Sequence, residues 1–66
     1  MKIKVNGEDR ETQDGTSLDG LLDILEVSRK GIAVECNREI VPRGRLSEVI
    51  LKEGDIVEII RMVGGG

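Results

Sequence analysis

The sequence predicts an α+β domain in which a single helix packs across one face of a mixed sheet. Three observations carry this. An alternating apolar and charged stretch runs straight into Asn6-Gly7, four leucines recur at helical spacing from Leu18, and a β-branched run follows much later at Ile56-Val-Glu-Ile-Ile60. One helix laid over a sheet buries the apolar side of both with few residues, which is what a short chain needs.

Met1-Lys-Ile-Lys-Val5 alternates with the period of two that marks a strand with one buried face. Asn6-Gly7 is the favoured type I′ hairpin turn, because both residue types tolerate positive φ. Glu8 to Gln13 then reads as the returning strand, polar enough to lie at an edge where its charges discourage unwanted pairing. Asp14-Gly15 ends the hairpin. Thr16 or Ser17 suits the helix N-cap, where a hydroxyl accepts from a free amide of the first turn, and Asp19 adds a favourable negative charge. Leu18, Leu21, Leu22 and Leu25 make one helical face. The helix is expected to run to about Val27, slightly weakened by Gly20, with Gly31 in the turn that follows.

Ile32, Val34 and Cys36 alternate with Ala33 and Glu35 as a third strand, and Asn37-Arg38 reads as a short turn into Glu39-Ile40-Val41. Pro42 lacks a backbone donor and stops the pairing. Leu46 to Leu51 is expected to form a short helical turn or compact loop, and Glu53-Gly54-Asp55 another turn. The β-branched density of Ile56 to Ile60 is that of a central strand. Within it Glu58 lies between Ile56 and Ile60, so the alternation turns Val57 and Ile59 towards the helix. Ile56 and Ile60 are left on the open side, and apolar surface exposed in this way suggests docking.

Size and composition narrow the function. Sixty-six residues make one domain, expected as a body over 1–61 and a tail over 62–66. Such a chain buries only about 60% of the surface it exposes unfolded. The single cysteine cannot pair within the chain and there is no histidine to join it around zinc, so no metal site is expected. A lone thiol fits a reducing compartment. No secretion signal opens the sequence and no apolar run approaches the ~18 residues that span a bilayer, so the expectation is a cytoplasmic protein, monomeric when free. A net charge of −3 and the absence of Phe, Trp and Tyr disfavour nucleic acid as a partner. From Met1 to Ser28 there are three basic and seven acidic residues, against seven and six from Arg29 to Gly66. That acidic half is a solvated surface or a patch that steers docking to a basic partner.

The carboxylates form no defined general acid–base pair, no hydroxyl nucleophile motif accompanies them, and no glycine run is followed by the helix and Lys of a phosphate loop. Stand-alone catalysis is therefore not expected. Cys36 shares a strand face with Ile32 and Val34 and has no evident cation to lower its pKa, so packing is its expected role. Arg38, Arg43 and Arg45 read as solvated arginines or as a basic strip, whereas Arg61 directly precedes the tail and is better placed to guide docking.

Arg61-Met62-Val63-Gly64-Gly65-Gly66 is the most informative segment. Glycines after a strand pack nothing and are costly to order. Met62 to Gly66 would extend roughly 17 Å at ~3.4 Å per residue, enough to thread into another protein's active site. Glycine lets such a tunnel be narrow and exclude water from a hydrolysable intermediate.

The first hairpin, the Thr16-Ser-Leu-Asp-Gly-Leu-Leu22 helix start, Ile40-Val-Pro-Arg43, Gly54-Asp55 and the Val63-Gly64-Gly65-Gly66 end together resemble the ThiS family of sulfur carriers, relatives of MoaD and more distantly of ubiquitin. The resemblance implies a ubiquitin-like β-grasp fold. It also implies that a ThiF-like adenylyltransferase, using ATP and Mg²⁺, activates the Gly66 carboxylate, and that a persulfide sulfur from a donor such as a cysteine desulfurase displaces AMP to leave a thiocarboxylate. A ThiG-like thiazole synthase would receive the sulfur in thiamine biosynthesis. In that scheme Gly66 carries the reacting carbon, Gly64 and Gly65 give reach and slimness, and Ile56, Ile60, Arg61, Met62 and Val63 are the expected partner contacts. The chain departs from the family at Asn37-Arg38, where Asn-Gly is common, and in having no aromatic residue. A MoaD-like carrier for molybdopterin or another thiocarboxylate pathway is the neighbouring reading, although the MoaD tail usually has Pro and Phe before its glycines. A ubiquitin-like protein modifier and an interaction module with an idle tail also remain open.

Overall fold

β1 (Lys2–Val5) and β2 (Glu8–Glu11) form the first hairpin, with Lys2 opposite Glu11 and Val5 opposite Glu8. Its turn has φ of 49° at Asn6 and 84° at Gly7, the left-handed pair that a type I′ turn requires. The computed structural model describes residues 1–62. After the hairpin come α1 (Leu18–Ile24), β3 (Ile32–Cys36), β4 (Glu39–Val41), a 3₁₀ turn at Arg43–Arg45, and β5 (Ile56–Arg61).

The strands make one five-stranded sheet in the order β2-β1-β5-β3-β4. β5, the last to be made, lies in the centre. It runs parallel to β1, through Lys4↔Ile56 and Val5↔Val57, and antiparallel to β3 from Ile32↔Arg61 to Cys36↔Val57. β2 is an edge strand whose side chains are all exposed, as its charges predict.

The core lies between the helix and one face of this sheet. Leu18, Leu21 and Leu22 meet Ile3, Val5, Val34 and Val57, and Val57 has no exposed surface at all. Leu25 is half-buried and packs against this cluster, completing the predicted leucine face. Fully burying an aliphatic side chain contributes about 1.5–3 kcal/mol, and with no aromatic residue or disulfide these aliphatics hold the fold.

The second strand ends at Glu11, short of the expected Gln13, and the helix is shorter than the sequence predicts. The helix stops at Ile24 rather than near Val27, because Glu26 adopts φ 57°. The Glu26 amide donates to Asp23 O at 3.1 Å and the Val27 amide to Leu22 O at 2.9 Å. That pair of bonds is a Schellman closure with Glu26 in the position usually held by glycine. Of the two forms expected for Leu46–Leu51, a short helical turn or a compact loop, the chain adopts the loop, and a 3₁₀ turn precedes it at Arg43–Arg45. Carbonyls of the later stretch are committed elsewhere: Leu18 N donates to Val49 O (2.9 Å) and Asp19 N to Leu46 O (3.1 Å). Ser17 is the N-cap, its Oγ accepting from Gly20 N at 3.0 Å. The connection between β4 and β5 thus satisfies helix amides that have no partner within the helix, and seats Leu46 and Leu51 in the core.

Among the described residues no helix is long and apolar enough to cross a membrane.

Candidate functional site

The end of β5 is where the body hands over to the glycine segment, and several contacts fix it. Asn6 Oδ1 accepts from Ile59 N at 2.7 Å while its Nδ2 donates to Ile59 O at 3.3 Å. A side-chain amide thereby takes the place of a β1 residue where β1 has already turned away. Asn37 does the same at the start of β5: its Oδ1 accepts from Ile56 N at 3.0 Å and its Nδ2 donates to Asp55 Oδ1 at 3.0 Å. Both asparagines sit at positive φ, 49° and 53°, so each hairpin turn also clamps the central strand. Beyond Arg61 the Met62 amide donates to Gly31 O at 2.7 Å, and the Met62 side chain is 61% exposed. Val63, Gly64, Gly65 and Gly66 lie outside the described residues.

The face of the sheet turned away from the helix is the second part of the site. Its parity is the one the alternation predicts: Val57 and Ile59 turn inward, while Ile56 and Ile60 are 50% and 41% exposed. Ile40 of β4, 69% exposed, lies on the same open face through its pairing with Glu35. Ala33 sits opposite Ile60 there, and Glu35 sits opposite Glu58. An apolar triangle of isoleucines therefore surrounds two carboxylates on adjacent strands.

Not all of the expected partner residues fall together. Arg61 shares the parity of Val57 and Ile59 and lines a groove on the helix side with Leu25, Val27 and Ile32. Ile56 and Ile60 lie on the opposite face. The three arginines are held in different ways. An Arg43 guanidinium nitrogen donates to Arg29 O, Arg45 pairs with Glu48 at 3.6 Å, and Arg38 occupies the second hairpin turn at φ 71°. Cys36 is half-buried against the core, and burial first, then the charge of Asp55, pushes its thiol pKa up. A thiol held in its neutral form is a poor nucleophile, which fits packing.

Sequence reasoning missed three features. Ile40 joins the open face, which the alternation of Glu39-Ile40-Val41 would have revealed once the hairpin register was fixed. The asparagine clamps depend on strand order, which no local pattern encodes. Arg29 bridges Asp19 at 2.9 Å and Asp23 at 2.8 Å, tying the loop after the helix back to its exposed flank.

A mixed five-stranded sheet with its last strand in the middle and a single helix across one face defines the ubiquitin-like β-grasp class. Relatives place the chain within that class. The model of the ThiS family matches residues 3–66. The chain belongs to the ThiS family. It is 35% identical to the Bacillus subtilis protein named sulfur carrier protein ThiS, over 97% of this chain and 98% of that one. A crystal structure of thiamine biosynthesis protein ThiS from Geobacter metallireducens superposes with a TM-score of 0.88 at 30% identity, each chain fully covered. Over its whole length the chain is also 42% identical to a thiazole synthase of Magnetococcus marinus, of which it spans 20%.

Proposed function

We propose that this chain is a sulfur carrier for thiazole formation in thiamine biosynthesis, a co-substrate rather than a catalyst, working in the cytoplasm with Gly66 as its carrying residue. The observation that carries this is the direct succession from a strand pinned in the centre of the sheet to Gly64-Gly65-Gly66. A rigid root and a side-chain-free end suit delivery of a carboxylate into a partner's narrow active site. The family supports the same role, and the similarity to a thiazole synthase supports a partner of that class.

A carboxylate is a poor electrophile, because its charge repels nucleophiles and oxide leaves badly. Attack by a Gly66 oxygen on the α-phosphorus of ATP, in a ThiF-like adenylyltransferase, expels pyrophosphate and gives an acyl adenylate. The terminal sulfur of a persulfide then attacks the acyl carbon, and AMP leaves with the carboxylate oxygen. A second thiol cleaves the resulting acyl disulfide and is itself oxidised to a disulfide, freeing the thiocarboxylate. A cysteine desulfurase is the class of enzyme that supplies such a persulfide. The carrier's own part is reach, slimness and a body that partners grip. No ionisable group of the body takes part.

Intact-mass measurement after incubation with the adenylyltransferase, ATP and a sulfur source tests this. Exchange of one oxygen for sulfur adds roughly 16 Da, whereas a modifier would yield a larger branched product. Loaded chain is expected to support thiazole formation with a thiazole synthase and not to serve a molybdopterin synthase. An alanine appended after Gly66 is expected to abolish loading while leaving the thermal unfolding curve unchanged. Normal loading of the untrimmed extended chain would refute the role assigned to Gly66.

A further inference from the structure

Two local rules of stable folding are broken on the open face of the sheet, and they are broken side by side. Glu35 of β3 and Glu58 of β5 sit directly opposite each other in an antiparallel pair. Like charges in that position destabilise a sheet. Neither carboxylate forms an ion pair among the described residues. At the adjoining turn Arg38 is held at φ 71°, where a glycine would be unstrained. Arg38 borders the same shallow depression as Glu35, Ile56 and Glu58, yet pairs with neither carboxylate. Ile56 lines this depression too, while Ile60 and Ile40 lie on the same open face through their strand pairings, and all three remain substantially exposed. Unfavourable features gathered at one place, with apolar surface around them, mark a site whose cost is offset elsewhere.

We propose, resting on the carrier role above, that Glu35 and Glu58 together form the specificity element of the partner-binding face and receive one basic side chain of the adenylating enzyme. The occupant's chemistry follows from the arrangement. A planar guanidinium offers donors to two carboxylates at once and stacks acceptably against aliphatic neighbours, so arginine fits better than lysine. Apolar partner side chains cover Ile40, Ile56 and Ile60 around it and exclude water, which strengthens the central charge contact. A bound guanidinium offsets the like charges that the strand register places face to face.

The carboxylates are therefore worth more to the complex than to the free fold, and a merely structural pair would not behave so. Replacing both, as E35Q/E58Q, is expected to raise the thermal midpoint of the free chain. In sulfur loading by the adenylyltransferase of the same organism, read by intact mass, the KM for the carrier should rise about tenfold or more with kcat little changed. The unmodified chain should lose affinity as salt is raised, while the variant's KM should be nearly independent of salt. The E35D/E58D variant should recover part of the salt dependence. If the unmodified chain loads but E35Q/E58Q shows the same KM and salt response, this assignment is overturned and the carrier role stands. Failure of the unmodified chain to load, with an enzyme active on another carrier, overturns the carrier role and this assignment with it.

Discussion

On the helix side of β5, Val57 is wholly buried and Ile59 packs against the core, whereas on the other side of the same strand Ile56 and Ile60 stay about half exposed. The residue types are almost the same on both sides. What separates them is the covering: α1 and the connection carrying Leu46 and Leu51 close one face, and nothing in the chain's described residues closes the other. Aliphatic side chains on the first face hold the fold together, and those on the second are surplus to it. Hydrophobicity read along a strand cannot distinguish these roles, but strand parity combined with the position of the single helix can.

That contrast is open to direct attack. The largest effect is expected from Leu22→Ala on the covered side, which should cost about 3 kcal/mol by creating a core cavity and lower the thermal midpoint by well over ~10 °C. A loss below ~0.5 kcal/mol would mean that the covered face is not what stabilises the domain. The double variant Ile56→Thr, Ile60→Thr keeps β-branched shape on the open side. It should unfold within ~1 kcal/mol of the unmodified chain yet load sulfur about tenfold less efficiently, measured as kcat/KM. Equal loading would remove the functional half of the contrast.

Smaller effects sharpen it further. Glu26→Gly relieves a left-handed residue at the helix end, far from the open face, and should gain ~0.5–1 kcal/mol in denaturant melts without touching loading. Arg38→Gly should gain a similar ~0.5–1 kcal/mol, since it relieves the same kind of strain in the second hairpin turn. The smallest functional effect belongs to Cys36→Ala, for which loading should be unchanged. Because the folded thiol pKa is raised, its contribution to stability is intact at neutral pH and declines as pH climbs past the ordinary thiol range through the folded value. Alkylation of Cys36 near pH 8 should accordingly run slower in the native chain than in denaturant.

Much of this architecture was legible before any coordinates. Strands, helix face and inward parity of β5 follow from periodicity, because Leu18, Leu21, Leu22 and Val57 had to share a core. Asn6-Gly7 announced its turn by residue type. Boundaries were less accessible. Glu26 is an ordinary helix former, and only the closing bonds of Leu22 and Asp23 show that it leaves the helix. For Leu46 to Leu51 the sequence left a helical turn and a compact loop both open, and only the bonds its carbonyls accept from α1 select the loop. Of the candidate site, the exposure of Ile56 and Ile60 was legible from alternation, whereas the surface they form was not. Arg61 leaves that surface by the same alternation that turns Val57 and Ile59 inward, and Ile40 joins it through the local β3–β4 hairpin; only the confrontation of Glu35 with Glu58 requires the register between strands apart in sequence.

The central place of β5 has a consequence for how the molecule is made. A nascent chain lacking Ile56 to Arg61 holds two separate hairpins and a helix, with no strand to join them, since β1 and β3 touch only through β5. Pairing across such long sequence separation forms late and all at once. A product that stops before β5 therefore lacks the strand that joins its two hairpins into one sheet. Synthesis itself becomes the checkpoint: the sheet closes only once its central strand has been made.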